Sequence, residues 1–111
     1  MAFAFAIAVP SAHAAGGAQV GAKLYQQNCA KCHGPNGKGD GPELARIHAA
    51  VTPNDWTDKE SKAEMPDKAI ISMVTKGGQA NGKSKLMPSF REKLDDAQIQ
   101  DLIAYIRTLP Q

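Results

Sequence analysis

The chain beyond residue 17 begins with the apolar spacing of an amphipathic helix. Gly21, Tyr25 and Cys29 repeat four positions apart on one of its faces. Glycine disfavours a helix interior by about 1 kcal/mol relative to alanine, so a glycine on the same face as an aromatic residue indicates that another backbone passes close by. The pattern predicts a helix over residues 18–30 that carries Cys29 in its last turn, with the chain breaking away after His33.

The last part of the chain has a stronger helical pattern with a recognisable start. Asp95 is a suitable N-cap residue, and Gln98 follows three positions later in the register of a capping box. The predicted apolar face consists of Ile99, Leu102, Ile103, Ile106 and Leu109. Leu102 and Tyr105 lie one turn apart and form a surface on this helix. We predict that the N-terminal helix crosses this surface at Gly21, so that the two terminal helices pack together.

Two shorter helices are predicted between the terminal helices. One covers residues 43–50, and the other begins at Pro66 and ends at Lys76, before Gly77. The positions expected to face inward are Leu44, Ile47 and Val51 in the first helix and Ile70, Ile71 and Val74 in the second. No segment shows a convincing strand pattern, so the predicted fold class is all-α.

Length and composition limit both the core and the range of partners. The chain has 111 residues, of which 42% are hydrophobic, and this predicts one small domain with a thin core. Its net charge of +2 is too small to indicate a nucleic acid partner, and basic and aromatic residues are not interleaved. Such a domain needs more than its own side chains to fill its interior.

The candidate chemistry lies in the five residues from Cys29 to His33. Two cysteines separated by two residues and followed directly by histidine form the attachment signature of c-type haem. On a helical segment Cys29 and Cys32 lie one turn apart and reach neighbouring substituents of the porphyrin, and His33 places its ring under the iron. The alternatives are a disulfide, a zinc site, which would need two more soft ligands, and a redox dithiol, which would need a βαβ pattern. We predict one haem c per chain, attached through both cysteines, whose apolar macrocycle completes the core.

The second iron ligand is expected to be a methionine in a loop. Met87 precedes a proline that stiffens the backbone, and a thioether is a soft, neutral donor suited to iron in an apolar site. Met73 is expected in the core, and Met65 is expected to pack at the start of the helix that follows it. His48 is an alternative ligand, although a surface or hydrogen-bonded histidine is the more common case. Met87 is therefore the predicted partner of His33, and a purely space-filling methionine is the competing interpretation.

Two further features are expected beside the haem. Residues 34–42 are rich in glycine and predict a loop that covers one haem edge; they lack the motif and the preceding strand of a phosphate-binding loop. A backbone carbonyl of this loop, near Pro42, would accept a hydrogen bond from Nδ1 of His33 and set its tautomer. Trp56 would either donate its indole N–H to a haem propionate or pack in the core.

Residues 1–14 predict an export signal that is not part of the fold. A short apolar run from Phe3 to Val9 precedes an A-x-A cleavage site that ends at Ala14, and the run is too short to span a bilayer. No lysine or arginine precedes the run, which indicates a start upstream of Met1 or an internal start. We expect a mature periplasmic chain that begins near Ala15, soluble after cleavage or anchored if the signal is kept. Bacteria attach c-type haem in that exported compartment.

With these features in place, the chain resembles the class I c-type cytochromes, especially small bacterial monohaem cytochromes with domains like those of cbb3 oxidase subunits. The resemblance rests on residues 29–34, 37–42, 87–90 and 102–107, which extend over essentially the whole chain after the signal. It implies a cytochrome c domain over residues 15–111, with three to five helices wrapped around one covalently attached haem and with crossing terminal helices. It also implies His33 and Met87 as the proximal and distal iron ligands.

The function implied by the resemblance is electron transfer. An iron with six ligands has no open position for a substrate, so we expect a periplasmic carrier of one electron that is not an enzyme. Two alternatives stay open: the haem subunit of a dehydrogenase or oxidase complex, and a gas-binding or sensor cytochrome. The expected partners are redox proteins with acidic docking surfaces or a membrane oxidase, without nucleic acid or a small-molecule substrate, and we expect a monomer. The basic residues that would steer such partners are Lys31, Lys38, Lys83, Lys85 and Arg91, with an ordinary solvated surface as the competing interpretation.

Overall fold

The structure, a computed structural model, describes residues 16–110, and the predicted export signal lies outside this range. No strand occurs within it, and this confirms the all-α prediction. The α-helices are α1 (Gly17–Asn28), α2 (Ala30–His33), α3 (Glu43–Arg46), α4 (Lys59–Ala63), α5 (Asp67–Lys76) and α6 (Asp96–Ile106), with a 3₁₀ helix at Gln79–Asn81. The sequence predicted three to five helices. The structure contains the predicted long helices α1, α5 and α6, and the remaining helices are only three to five residues long.

The structure differs from the prediction at the ends of helices, where the helix stops at another residue than the spacing of apolar residues indicates. The first helix breaks at Cys29, whose backbone is not helical, and α2 then starts at Ala30. The helix predicted over residues 43–50 ends at Arg46, because His48 adopts a positive φ of 52°. Val51 is therefore 68% exposed, and the prediction that it faces inward is wrong.

The missed helix α4 begins at an Asp58 cap. The Asp58 carboxylate accepts the backbone N–H of Ser61 at 3.1 Å, which satisfies one of the unpaired donors of the first helical turn. The segment from Lys59 to Ala63 has no apolar stripe that would have indicated it. None of the helices within residues 16–110 has the length and apolar character needed to cross a membrane.

The terminal helices α1 and α6 pack against each other as the sequence predicts. A Cβ atom at Gly21 would overlap the backbone carbonyl of Asp101 and would lie 2.9 Å from Cβ of Tyr105, so the two backbones meet at this point. Tyr25, one turn along α1, is completely buried, and its ring centroid lies 5.2 Å from that of Tyr105. The predicted crossing is confirmed at the predicted residue.

The buried side chain of Asp101 binds the start of α1. This carboxylate is only 1% exposed, although it lies within α6 among apolar residues. It accepts the backbone N–H of Gly16 at 3.0 Å and of Gly17 at 2.8 Å. An acidic group at a helix N-terminus pairs donors that the helix itself cannot satisfy and interacts favourably with the helix dipole. Asp101 therefore acts as an N-cap supplied by another helix.

The predicted start of α6 and end of α5 are also confirmed. The Asp95 carboxylate accepts the N–H of Gln98 at 2.8 Å, and the Gln98 side chain accepts the N–H of Asp95 at 2.9 Å. Helix α5 ends at Lys76, and Gly77 follows with a φ of 83°. Together α1, α5 and α6 contribute most of a core that contains Tyr25, Ile70, Val74, Leu94, Ile99, Leu102, Ile103, Ile106 and Leu109.

Candidate functional site

An apolar cavity lies beside this core, with an empty volume of about 410 Å³ that includes a part open to solvent. Its walls are formed by Cys29, His33, Trp56, Met65, Ile70, Met73, Val74, Met87, Leu102 and Ile106. The apolar stripes of α5 and α6 thus have two roles, because part of each packs in the core and part lines the cavity.

Cys29 is the single residue between α1 and α2, and Cys32 lies within α2. The backbone N–H of His33 donates to the carbonyl of Cys29 at 2.9 Å, and this one-turn geometry sets the spacing of the motif. Cys29 is 7% exposed and lines the cavity, whereas Cys32 is half-buried beside His33 and is not one of the residues that line it. Burial, together with the nearby Cys32, raises the pKa of the Cys29 thiol to about 12.

The imidazole of His33 borders the cavity in its neutral form. Burial lowers the pKa of His33 to about 4, because the charged form loses its hydration. Atom Nδ1 is buried and has no hydrogen-bond partner within the described residues. The carbonyl near Pro42 that the sequence suggested as its acceptor does not make this bond. The ring is instead stacked on Trp56, with the two centroids 4.4 Å apart and the planes 15° from parallel.

The loop of residues 34–42 packs against the cysteine segment, and its backbone fixes α2 in place. The N–H of Gly39 donates to the carbonyl of His33 at 2.8 Å, and the buried hydroxyl of Tyr25 donates to the carbonyl of Gly34 at 2.6 Å. Gly41 approaches the backbone of Lys31 and Cys32 so closely that any side chain there would collide with it. The loop therefore packs over α2 and leaves Nδ1 of His33 unpaired within the described residues, and its covering of one haem edge stays a prediction.

Met87 also borders the cavity, as the sequence predicts. It lies outside the helices, and its carbonyl accepts the N–H of Gly78 at 2.9 Å, which holds the Met87 segment against the end of α5. Met65 and Met73 line the same cavity, so the structure brings three thioethers to it where the sequence singled out one. His48 is exposed and does not line the cavity.

Trp56 has a position that the sequence left open. It is 7% exposed, its ring faces His33, and its indole N–H donates to Sδ of Met65 at 3.2 Å. Trp56 therefore packs in the core, and its bond to a haem propionate stays a prediction. No sequence signal connects Trp56 with Met65, because both lie in irregular segments without periodic spacing.

The residues present suit a haem bound through its iron and its edge. The pocket is apolar, it contains a thiol at its border, and its buried imidazole is neutral with one ring nitrogen unpaired. A neutral imidazole and a thioether are suitable axial ligands for haem iron. The structure therefore brings Cys29, His33 and Met87 to one cavity, with Cys32 on the neighbouring turn.

Known proteins resemble this chain over most of its length. The profile of the family described as Cytochrome c matches residues 18–110. The chain is 33% identical to the Cbb3-type cytochrome c oxidase subunit CcoP of Azospirillum brasilense, over 86% of this chain and 29% of that protein. It is 34% identical to cytochrome c6 of Parathermosynechococcus lividus, over 78% of this chain and 83% of that protein. The solved structure of KustC0563 c-type cytochrome matches with a TM-score of 0.64 and 28% identity, over 82% of this chain and 98% of that one. The chain spans less than a third of the length of the oxidase subunit.

Proposed function

The chain belongs to the cytochrome c family, and on that premise we propose that it is a periplasmic electron-transfer protein with one covalently bound, His/Met-ligated haem c. The observation that carries this proposal is the meeting of Cys29, His33 and Met87 at a single apolar cavity. Cys29 and Cys32 would bond the porphyrin edge, and His33 and Met87 would ligate the iron. A haem bound in this way supplies one reversible redox equivalent.

The chain's own residues set the conditions for that redox chemistry. A neutral His33 is ready to ligate iron without first losing a proton, because burial already holds the pKa of its ring low. A thioether from Met87 raises the reduction potential relative to more basic ligands. The apolar walls contributed by Ile70, Val74 and Leu102 exclude water, which keeps the surroundings of the iron similar in both oxidation states.

The same ligand set argues against catalysis by this domain. With His33 and Met87 both bound, no position on the iron is open to a substrate, and we propose that the protein is a monomer that exchanges electrons with other redox proteins. The periplasmic location is supported by the apolar run and A-x-A site of residues 1–14 and by the compartment in which bacteria attach c-type haem.

The partners would approach a surface that carries exposed cations. The exposed basic residues near the attachment motif and near Met87 are Lys31, Lys38, Lys83, Lys85 and Arg91. Acidic neighbours offset part of this charge. The pKa of Glu43 is lowered by its hydrogen bond from Arg46 and also by Lys31, and the pKa of Asp55 is lowered by hydrogen bonds from Thr57 and also by Lys38. We propose that the remaining field steers acidic partners, and an association rate that does not fall with ionic strength would contradict this.

A second candidate function is that of a haem subunit in a larger redox complex. It is favoured by the similarity to an oxidase subunit of which this chain matches less than a third. Affinity purification of the tagged chain from its native membranes and periplasm distinguishes the two functions. A stoichiometric larger chain carrying its own catalytic centre would identify a complex subunit, and a free monomer would identify a carrier.

A gas-binding cytochrome is the third candidate, and it requires an open or weakly held distal position. Met87 borders the cavity and would occupy that position. Carbon monoxide added to the reduced protein distinguishes the alternatives. We expect no rapid change in the visible spectrum, and immediate binding would favour a sensor.

The proposed function is tested by a visible spectrum and a pyridine haemochrome assay on protein expressed in a host that matures c-type cytochromes. We expect one haem per chain, held through thioether bonds that survive acid–acetone extraction. The control is the Cys29→Ala/Cys32→Ala double variant, in which extraction should remove any haem. A colourless wild-type protein with both thiols free would refute the proposal.

A further inference from the structure

Three methionine side chains at the cavity are candidates for the second iron ligand. Met65, Met73 and Met87 all line it, together with the imidazole of His33. A thioether is a comparable iron ligand wherever it comes from along the chain, so ligand identity must be decided by which sulfur is free to reach the iron. The structure contains a contact that distinguishes Met65 from the other two.

The sulfur of Met65 is engaged by the indole of Trp56. Atom Nε1 of Trp56 lies 3.2 Å from Sδ of Met65, within the distance of a hydrogen bond to sulfur. Trp56 is buried, and a buried indole N–H requires an acceptor. Moving Met65 away would therefore remove the acceptor that this donor has among the described residues, which adds a cost to any conformation in which Met65 ligates iron.

The backbone of Met65 is held as well. The guanidinium of Arg107, just past the end of α6, donates to the carbonyl of Met65 and pairs with the carboxylate of Asp67 at 2.8 Å. Met65 is thus fixed at its backbone by one residue and at its sulfur by another. Neither contact is made to Met73 or Met87.

Trp56 also locates Met65 relative to His33. The indole is stacked on the imidazole with centroids 4.4 Å apart, and its own backbone N–H donates to the carbonyl of Gly37 at 2.7 Å. The sulfur of Met65 is therefore held by the side chain that packs directly on the imidazole.

We propose that Trp56 is a positioning residue that keeps the Met65 thioether out of competition for the iron, which favours Met87 over Met65 as the ligating sulfur. This inference rests on the proposed function, because it presumes a haem bound at His33. It explains why Met65 is not the iron ligand, a point on which the C-x-x-C-H motif carries no information. Trp56 acts through Met65 and does not itself bind the iron.

The test uses the haem-loaded protein and the ¹H NMR signal of the ligating methionine methyl group in the reduced state, which lies far outside the normal spectral range. Trp56→Phe keeps an aromatic ring beside His33 and removes the N–H donor. We expect a second shifted methyl signal in this variant, and its loss in Trp56→Phe/Met65→Leu. The matched control is Trp56→Phe/Met73→Leu, in which the second signal should remain.

A single unchanged methyl signal in Trp56→Phe overturns the inference. A second signal that survives Met65→Leu also overturns it. If Trp56→Phe does not accumulate with haem, Met65→Leu alone decides: we expect the wild-type signal and reduction potential, and loss of the signal would make Met65 the ligand and refute the proposal. Failure of the proposed function is recognised separately, because the wild-type protein would then give no haemochrome at all.

Discussion

Gly21 of α1 lies directly against the backbone carbonyl of Asp101 in α6, with no room for a Cβ atom between them. We therefore expect Gly21→Ala to destabilise the haem-loaded protein, although alanine is the better helix former. Overpacking a close contact costs about 1–3 kcal/mol, and the helix propensity of alanine returns about 1 kcal/mol of it. Denaturant unfolding should show a net loss of up to about 2 kcal/mol, the difference of those two effects.

The control for this substitution is Gly82→Asn. Gly82 has a left-handed backbone, with φ of 69°, and no atom lies within 4 Å of the position its Cβ would take. Asparagine tolerates that conformation, so its stability should change by less than about 0.5 kcal/mol. An increase in stability for Gly21→Ala would show that the terminal helices are less closely packed than the structure indicates.

The buried Asp101 carboxylate should contribute to stability through the N-terminus of α1. Asp101→Ala leaves the N–H groups of Gly16 and Gly17 without their acceptor and should cost about 2–3 kcal/mol, combining the loss of a cap with unpaired donors. Asp101→Asn keeps one acceptor oxygen and should cost less. Equal losses for the two variants, measured by thermal or denaturant unfolding, would show that the capping bonds are not the cause.

Replacing the proposed distal ligand should change the electronic properties of the iron. Met87→Ala should abolish the weak sulfur-to-iron charge-transfer band of the oxidised protein and lower the reduction potential, because the thioether favours reduced iron. Leu86→Ala is the control, since Leu86 is the exposed neighbour of Met87 and does not line the cavity. Spectroelectrochemistry measures both quantities, and an unchanged spectrum in Met87→Ala would assign the ligand to another residue.

Without haem the chain should be largely unfolded. The cavity lies beside the core and is walled by residues from α5 and α6, so an empty site removes packing partners from two long helices. A ligand that binds only the folded state raises the free energy of unfolding, and removing the ligand lowers it by the same amount. The Cys29→Ala/Cys32→Ala variant, freed of haem, should give a far-ultraviolet circular dichroism spectrum with little helix. A spectrum as helical as that of the wild type would contradict this expectation.

The crossing of the terminal helices was predictable because its signals are local. Gly21 is an unusual residue for a helix face that also carries Tyr25, and a close backbone contact is the common reason for such a choice. The capping box of Asp95 and Gln98 is likewise contained in four consecutive residues. The cysteine motif and its histidine are also adjacent in the sequence, so their grouping needed no knowledge of the fold.

The features that could not be predicted depend on how irregular segments meet. His33, Trp56 and Met65 come from three parts of the chain, and nothing in their spacing indicates the stacking or the bond between indole and sulfur. The unpaired Nδ1 of His33 has the same origin, because it depends on the exact course of the covering loop. Val51 was assigned to the interior from helical spacing, which failed once the helix ended at Arg46.

The pairing of α1 with α6 also has a consequence for when the polypeptide can fold. The two helices lie near opposite ends of the described residues, so α1 has its partner only once the whole segment between them has reached the same compartment. Contacts between such distant parts of a chain slow folding, since the intervening segment must be closed into a loop before they form. A polypeptide that stops short of α6 would therefore leave the apolar face of α1 exposed to chaperones and proteases, even though every residue of α1 is intact.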